Sequence, residues 1–89
     1  MRRILSHRKA TAYLRKMPSQ RREQMMVALE EVAGLEDIST RPGIRNMKGA
    51  RSDWYRLRVG VYRAVLRPEK RDGEDVLYVS YIGPRGDAY

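Results

Sequence analysis

The stretch 53–63 reads DWYRLRVGVYR and sets Arg56, Arg58 and Arg63 among Tyr55, Leu57, Val59, Val61 and Tyr62. A guanidinium stays charged in a protein and presents its donors in a rigid planar fork. Side chains alternate across a strand, so Arg56 and Arg58 share one face while Tyr55, Leu57 and Val59 take the other. In a returning strand Arg63, Val65 and Arg67 lie on one face, with Tyr62, Ala64 and Leu66 opposite. If both apolar sets face a core, Arg56, Arg58 and Arg63 converge on the open side. Such a cluster repels itself, and phosphate is the ligand that relieves the repulsion. A solvated outer face is the other reading of the same pattern. The last segment, IGPRGDAY at 82–89, has glycines at 83 and 86 that permit a tight exit. Arg85 can then be held near the sheet, and Tyr89 can return towards it.

The elements that must position these groups follow from periodicity. Residues 2–5, RRIL, could pair at a sheet edge, and Ser6 is a plausible N-cap. Ala10, Tyr13, Leu14 and Met17 recur at helical spacing, and Pro18 ends that helix. Ser19 caps or opens a second helix, striped by Met25, Leu29 and Val32, with Gly34 where a C′ glycine is expected. A break this short returns the second helix antiparallel to the first. From Leu35 to about Ser52 the pattern lapses into turn signals such as RPG at 41–43. Alternation then marks strands at 54–59, 62–67 and 76–82, joined at Gly60 and at Asp72-Gly73. The order β-α-α-β-β-β predicts an α+β domain over 1–89. An antiparallel three-stranded meander carries the helical hairpin on one face and leaves the other open.

Eighty-nine residues with no cysteine exclude disulfide staples and thiolate metal sites. No apolar run approaches the roughly 20 residues of a membrane span, and MRRILSHRK has no signal-peptide apolar region. A cytoplasmic location without membrane contact is expected. The formal charge of +8 and pI near 10.3 imply a polyanionic partner, either nucleic acid, a ribonucleoprotein or an acidic protein.

The runs MKGARSDWYRLRVGVYRAVL and YIGPRGDAY, with KATAYLRKMPSQRREQMMVALEEVA before them, resemble the RelE/ParE superfamily of type II toxin–antitoxin modules. The family pattern is a lysine-glycine loop, then YRLRVGDYR, then a strand leading to GHRxxVY. The resemblance covers nearly the whole chain and lies closest to the branch that cleaves mRNA in the ribosomal A site. By that resemblance Arg56 and Arg58 match a strand with two basic side chains, Arg63 matches the arginine of the GYR step, and Arg85 and Tyr89 match the terminal arginine and tyrosine. Pro84 departs from the pattern, standing where many relatives have histidine or lysine.

The resemblance implies cofactor-free, metal-independent cleavage of mRNA through the ribose 2′-hydroxyl, neutralised by a RelB-like, acidic, partly disordered antitoxin. Such a reaction needs a base, charge stabilisation at phosphorus and an acid. Arginines serve the second need. Tyr89, beside Arg56, Arg63 and Arg85, is the candidate base or proton shuttle, with Lys48 a second candidate if its loop covers the sheet. His7 reads as a surface residue. Lys48, Arg51, Lys9, Arg15, Lys16, Arg21 and Arg22 are candidates for gripping RNA or the ribosome. Trp54 and Tyr55 could stack on bases or pack against the core. Two alternatives stay open: a ParE-like, non-enzymatic inhibitor of DNA gyrase, and a decayed toxin that only binds its antitoxin.

Overall fold

The computed structural model describes residues 1–84. Along the chain run β1 (Arg3–Ser6), α1 (Arg8–Lys16), α2 (Ser19–Ala33), β2 (Ile44–Asn46), β3 (Tyr55–Val59), β4 (Tyr62–Arg71) and β5 (Glu74–Pro84). Single 3-10 turns at Ile38–Thr40 and Gly49–Arg51 flank β2. The strands form one five-stranded sheet in the order β1-β5-β4-β3-β2. β1 joins β5 in parallel at one edge, and the other pairings are antiparallel. The expected order of strand, helical hairpin and meander is therefore present. To it the structure adds β2, a strand of three residues that the pattern concealed.

The helices cover one face of the sheet. Ala10 and Met17, then Met25, Ala28, Leu29, Val32 and Ala33, pack on Leu57, Ala64, Leu66, Leu77, Val79 and Ile82. Ile44 joins this core from β2, and Tyr13 of α1 meets Tyr62 of β4 edge-on, with ring centroids 6.3 Å apart. Three local expectations shift. Ser6 ends β1, and His7 is the N-cap of α1, its Nδ1 accepting from the Lys9 amide at 3.1 Å. Pro18 holds the N-cap position of α2, so Ser19 opens the helix without capping it. Gly34 is the C-cap itself at φ −87°, so no left-handed residue is needed there.

One irregularity bears on the open face. The β4–β5 register slips between Val65 and Leu66, so Val65 faces Tyr81 while Leu66 faces Val79. Ser80 is the extra residue, and its hydroxyl donates to the Val65 carbonyl at 3.3 Å. A bulge of this kind reverses the facing of everything beyond it. Leu77 and Val79 point to the helices before the bulge, and Ile82 does so after it.

Candidate functional site

Cross-strand partners share a face of the sheet. Arg45 pairs with Arg56 across β2 and β3, and Arg58 pairs with Arg63 across β3 and β4. Between these pairs, Leu57 faces Ala64 on the helix side, where both are fully buried. The apolar half of the alternation is thus fixed in the core, which forces the four arginines onto the open face. They line one concavity of about 160 Å³ with Gly43. That is the liquid volume of about five waters, room for one phosphoryl group and part of its hydration.

Gly43 closes the rim beside β3. Its carbonyl accepts from the Arg58 amide at 2.9 Å, and its φ of +88° suits a residue without a side chain. Among the described residues no carboxylate lines the concavity. Among the same residues, Glu69 lies at the other end of this face, where it receives Arg67 Nε at 3.0 Å and Arg71 Nε at 2.5 Å. Fixed guanidinium donors converging on one concavity suit a dianionic or phosphorane-like centre.

The sequence-derived site residues therefore separate. Arg56, Arg58 and Arg63 come together as expected, and Arg45 joins them. Arg45 was missed because its strand has only Ile44 as an apolar marker; the signal that could have found it is the RPG turn immediately before IRN. Arg85 and Tyr89 lie outside the described residues. Lys48 and Arg51 sit around the 3-10 turn that follows β2, at the Tyr55 end of β3. Asn46 Nδ2 pins that loop by donating to the carbonyls of Ser52 (2.7 Å) and Trp54 (3.1 Å), and neither cation lines the concavity. Lys9, Arg15 and Lys16 are exposed on α1, on the helical side of the sheet. Arg22 of α2 donates to the Arg15 carbonyl at 3.2 Å, which ties the helices together. Arg21 reaches the β3–β4 turn, its Nη1 lying 3.5 Å from where a Cβ on Gly60 would stand.

Tyr55 packs against the core, whereas Trp54 lies on the open face under Arg67, whose guanidinium carbon is 4.4 Å from the ring centroid. Pro84 pairs with Tyr62, one step beyond the Gly83–Arg63 pair. A side chain at 84 therefore belongs to the face opposite the arginines, and the departure there takes nothing from the concavity. Among the described residues no cluster of three or more His, Cys, Asp or Glu could hold a metal ion. Among the same residues no helix is long and apolar enough to cross a membrane.

No protein-family model matches the chain, and no curated protein sequence matches it. Solved structures do. A chain of the archaeal RelE–RelB complex from Pyrococcus horikoshii OT3 superposes with a TM-score of 0.73 at 20% identity, over 98% of each chain. A chain of the RelB–RelE antitoxin–toxin complex from Methanococcus jannaschii gives 0.67 at 20% identity, over 90% of this chain and 88% of that one. The RelBE2 toxin–antitoxin complex from Mycobacterium tuberculosis gives 0.61 at 16% identity, over 94% of this chain and 98% of the other. At these identities the likeness is one of fold, and the fold is RelE-like.

Proposed function

We propose that this chain is the toxin of a type II toxin–antitoxin pair and acts in the cytoplasm as a ribosome-dependent endoribonuclease. The observation that carries this reading is the concavity of Arg45, Arg56, Arg58 and Arg63 on the open face of a RelE-like sheet. Its chemistry is phosphoryl transfer within RNA. The 2′-oxygen forms a bond to the adjacent phosphorus, the bond to the 5′-oxygen breaks, and a 2′,3′-cyclic phosphate remains. The four guanidinium groups stabilise the negative charge that builds on the non-bridging oxygens. They cannot take the 2′-hydroxyl proton, because guanidinium does not titrate in a protein; that task falls to Tyr89. Weak acid–base equipment fits an enzyme whose substrate is oriented by the ribosome, since positioning supplies a large part of a rate. The RelB–RelE complexes with the same fold support an antitoxin partner, acidic enough to cover this basic chain and folding as it binds.

The test is cleavage of mRNA on purified ribosomes and of the same RNA free in solution. Wild type cleaves the ribosome-bound message. Arg63→Ala is slowed by about 10²-fold or more, the scale for losing one oxyanion-stabilising donor. Loss of gyrase activity in a supercoiling assay, with intact mRNA, would instead favour the non-enzymatic inhibitor.

A further inference from the structure

The β4–β5 bulge brings to the arginine face a residue that strict alternation would have buried. Counting by twos from Leu77 and Val79 puts Tyr81 in the core. The extra residue Ser80 turns it to the arginine face, opposite Val65. From there its ring runs along β5 over Gly83. The Tyr81 hydroxyl fills the place a side chain at 83 would take, with Cζ 2.5 Å from the point where a Cβ would stand. Gly83 is the register partner of Arg63. Side chains so paired have Cβ atoms about 5 Å apart, so the phenol stands directly beside the root of Arg63. Glycine at 83 is thus explained by packing: only a residue without a Cβ leaves room for the phenol.

We infer that Tyr81 is the general acid of the site, donating its phenolic proton to the departing 5′-oxygen. The assignment rests on the ribonuclease reading above and supplies the one role that reading left unfilled. As the P–O5′ bond breaks, the electron pair goes to the 5′-oxygen and the proton of Tyr81 follows. The 2′-hydroxyl proton leaves to the base of that reading, and the Tyr81 phenolate is reprotonated from water. The bulge is the device that aims it, in keeping with the enrichment of bulges beside active sites.

The experiment is single-turnover cleavage of ribosome-bound mRNA carrying either the natural linkage or a 5′-bridging sulfur at the scissile phosphate. A thiolate leaves without needing a proton. Tyr81→Phe keeps the ring and its packing, and it slows the oxygen substrate by about 10²-fold or more, within the usual range for general acid catalysis. On the sulfur substrate the variant returns to within a few-fold of wild type. Gly83→Ala, which displaces the phenol, shows the same selective loss, whereas Arg63→Ala is slow on both substrates. Wild-type rates for Tyr81→Phe on the oxygen substrate, or equal losses on both substrates, would overturn the assignment. A wild type that cleaves neither substrate overturns the ribonuclease reading itself, and the Tyr81 role with it.

Discussion

Glu69 shows how single residues divide the open face. Its carboxylate receives Arg71 and Arg67, and these hydrogen bonds, that of Arg71 foremost, hold it below the usual glutamate range. Both guanidinium groups also lie over rings, Arg67 over Trp54 at 4.4 Å and Arg71 over Tyr78 at 4.8 Å. This end of the face is self-satisfied, while among the described residues no carboxylate lines the concavity at the other end. A lowered carboxyl pKa means stability that is complete above the unfolded value and is lost as pH falls through the folded one. Glu69→Gln should therefore cost about 0.5–1 kcal/mol at neutral pH, the scale of a partly exposed ion pair. The difference should begin to shrink as pH falls below about 4.3, the ordinary glutamate value, and vanish only below the lowered folded one. Urea denaturation of both proteins from pH 7 down to about pH 2 measures this. A gap that persists at low pH would assign the effect to packing.

At the scale of elements, turn chemistry was the most legible part of the sequence and irregular strands the least. Asp72 and Gly73 carry φ values of 51° and 77°, the left-handed pair that an Asp-Gly hairpin demands. Nothing lies within 4 Å of a Cβ placed on Gly73, so backbone strain alone opposes a side chain there. Gly73→Ala should lower the urea midpoint by the equivalent of about 1 kcal/mol, without changing RNA cleavage. Loss of cleavage in that variant would mean that the distal hairpin reaches the substrate. The two helices and three long strands were readable because each buries a periodic stripe. β2 was not, because three residues with one apolar side chain make no period. The bulge at Ser80 was hidden for a sharper reason: alternation through Leu77, Val79 and Tyr81 is unbroken in sequence, and only the burial of Ile82 three residues after Val79 betrays the slip. The arginine trio was therefore legible, whereas Arg45 depended on β2 and Tyr81 on the bulge.

For the whole molecule, a charge of +8 says that polyanions are attracted but not to which side. The sheet resolves the charge into two populations. Arg45, Arg56, Arg58 and Arg63 share one concavity, while Lys9, Arg15 and Lys16 lie on the helical side. Binding of single-stranded RNA releases counterions in proportion to the phosphates neutralised, with a log–log salt slope of about −0.7 per phosphate. Four arginines each meeting one phosphate give a slope near −2.8, and removing one brings it to about −2.1. The measurement is fluorescence anisotropy of a 2′-O-methyl oligoribonucleotide, which cannot be cleaved, titrated from low to moderate salt. Arg45→Gln and Arg58→Gln should each make the slope shallower by that step, whereas Lys9→Gln and Lys16→Gln should leave it unchanged. The reverse pattern would move the RNA to the helices. It would leave the concavity a solvated surface, because a cation that meets a phosphate must release an ion when it does so.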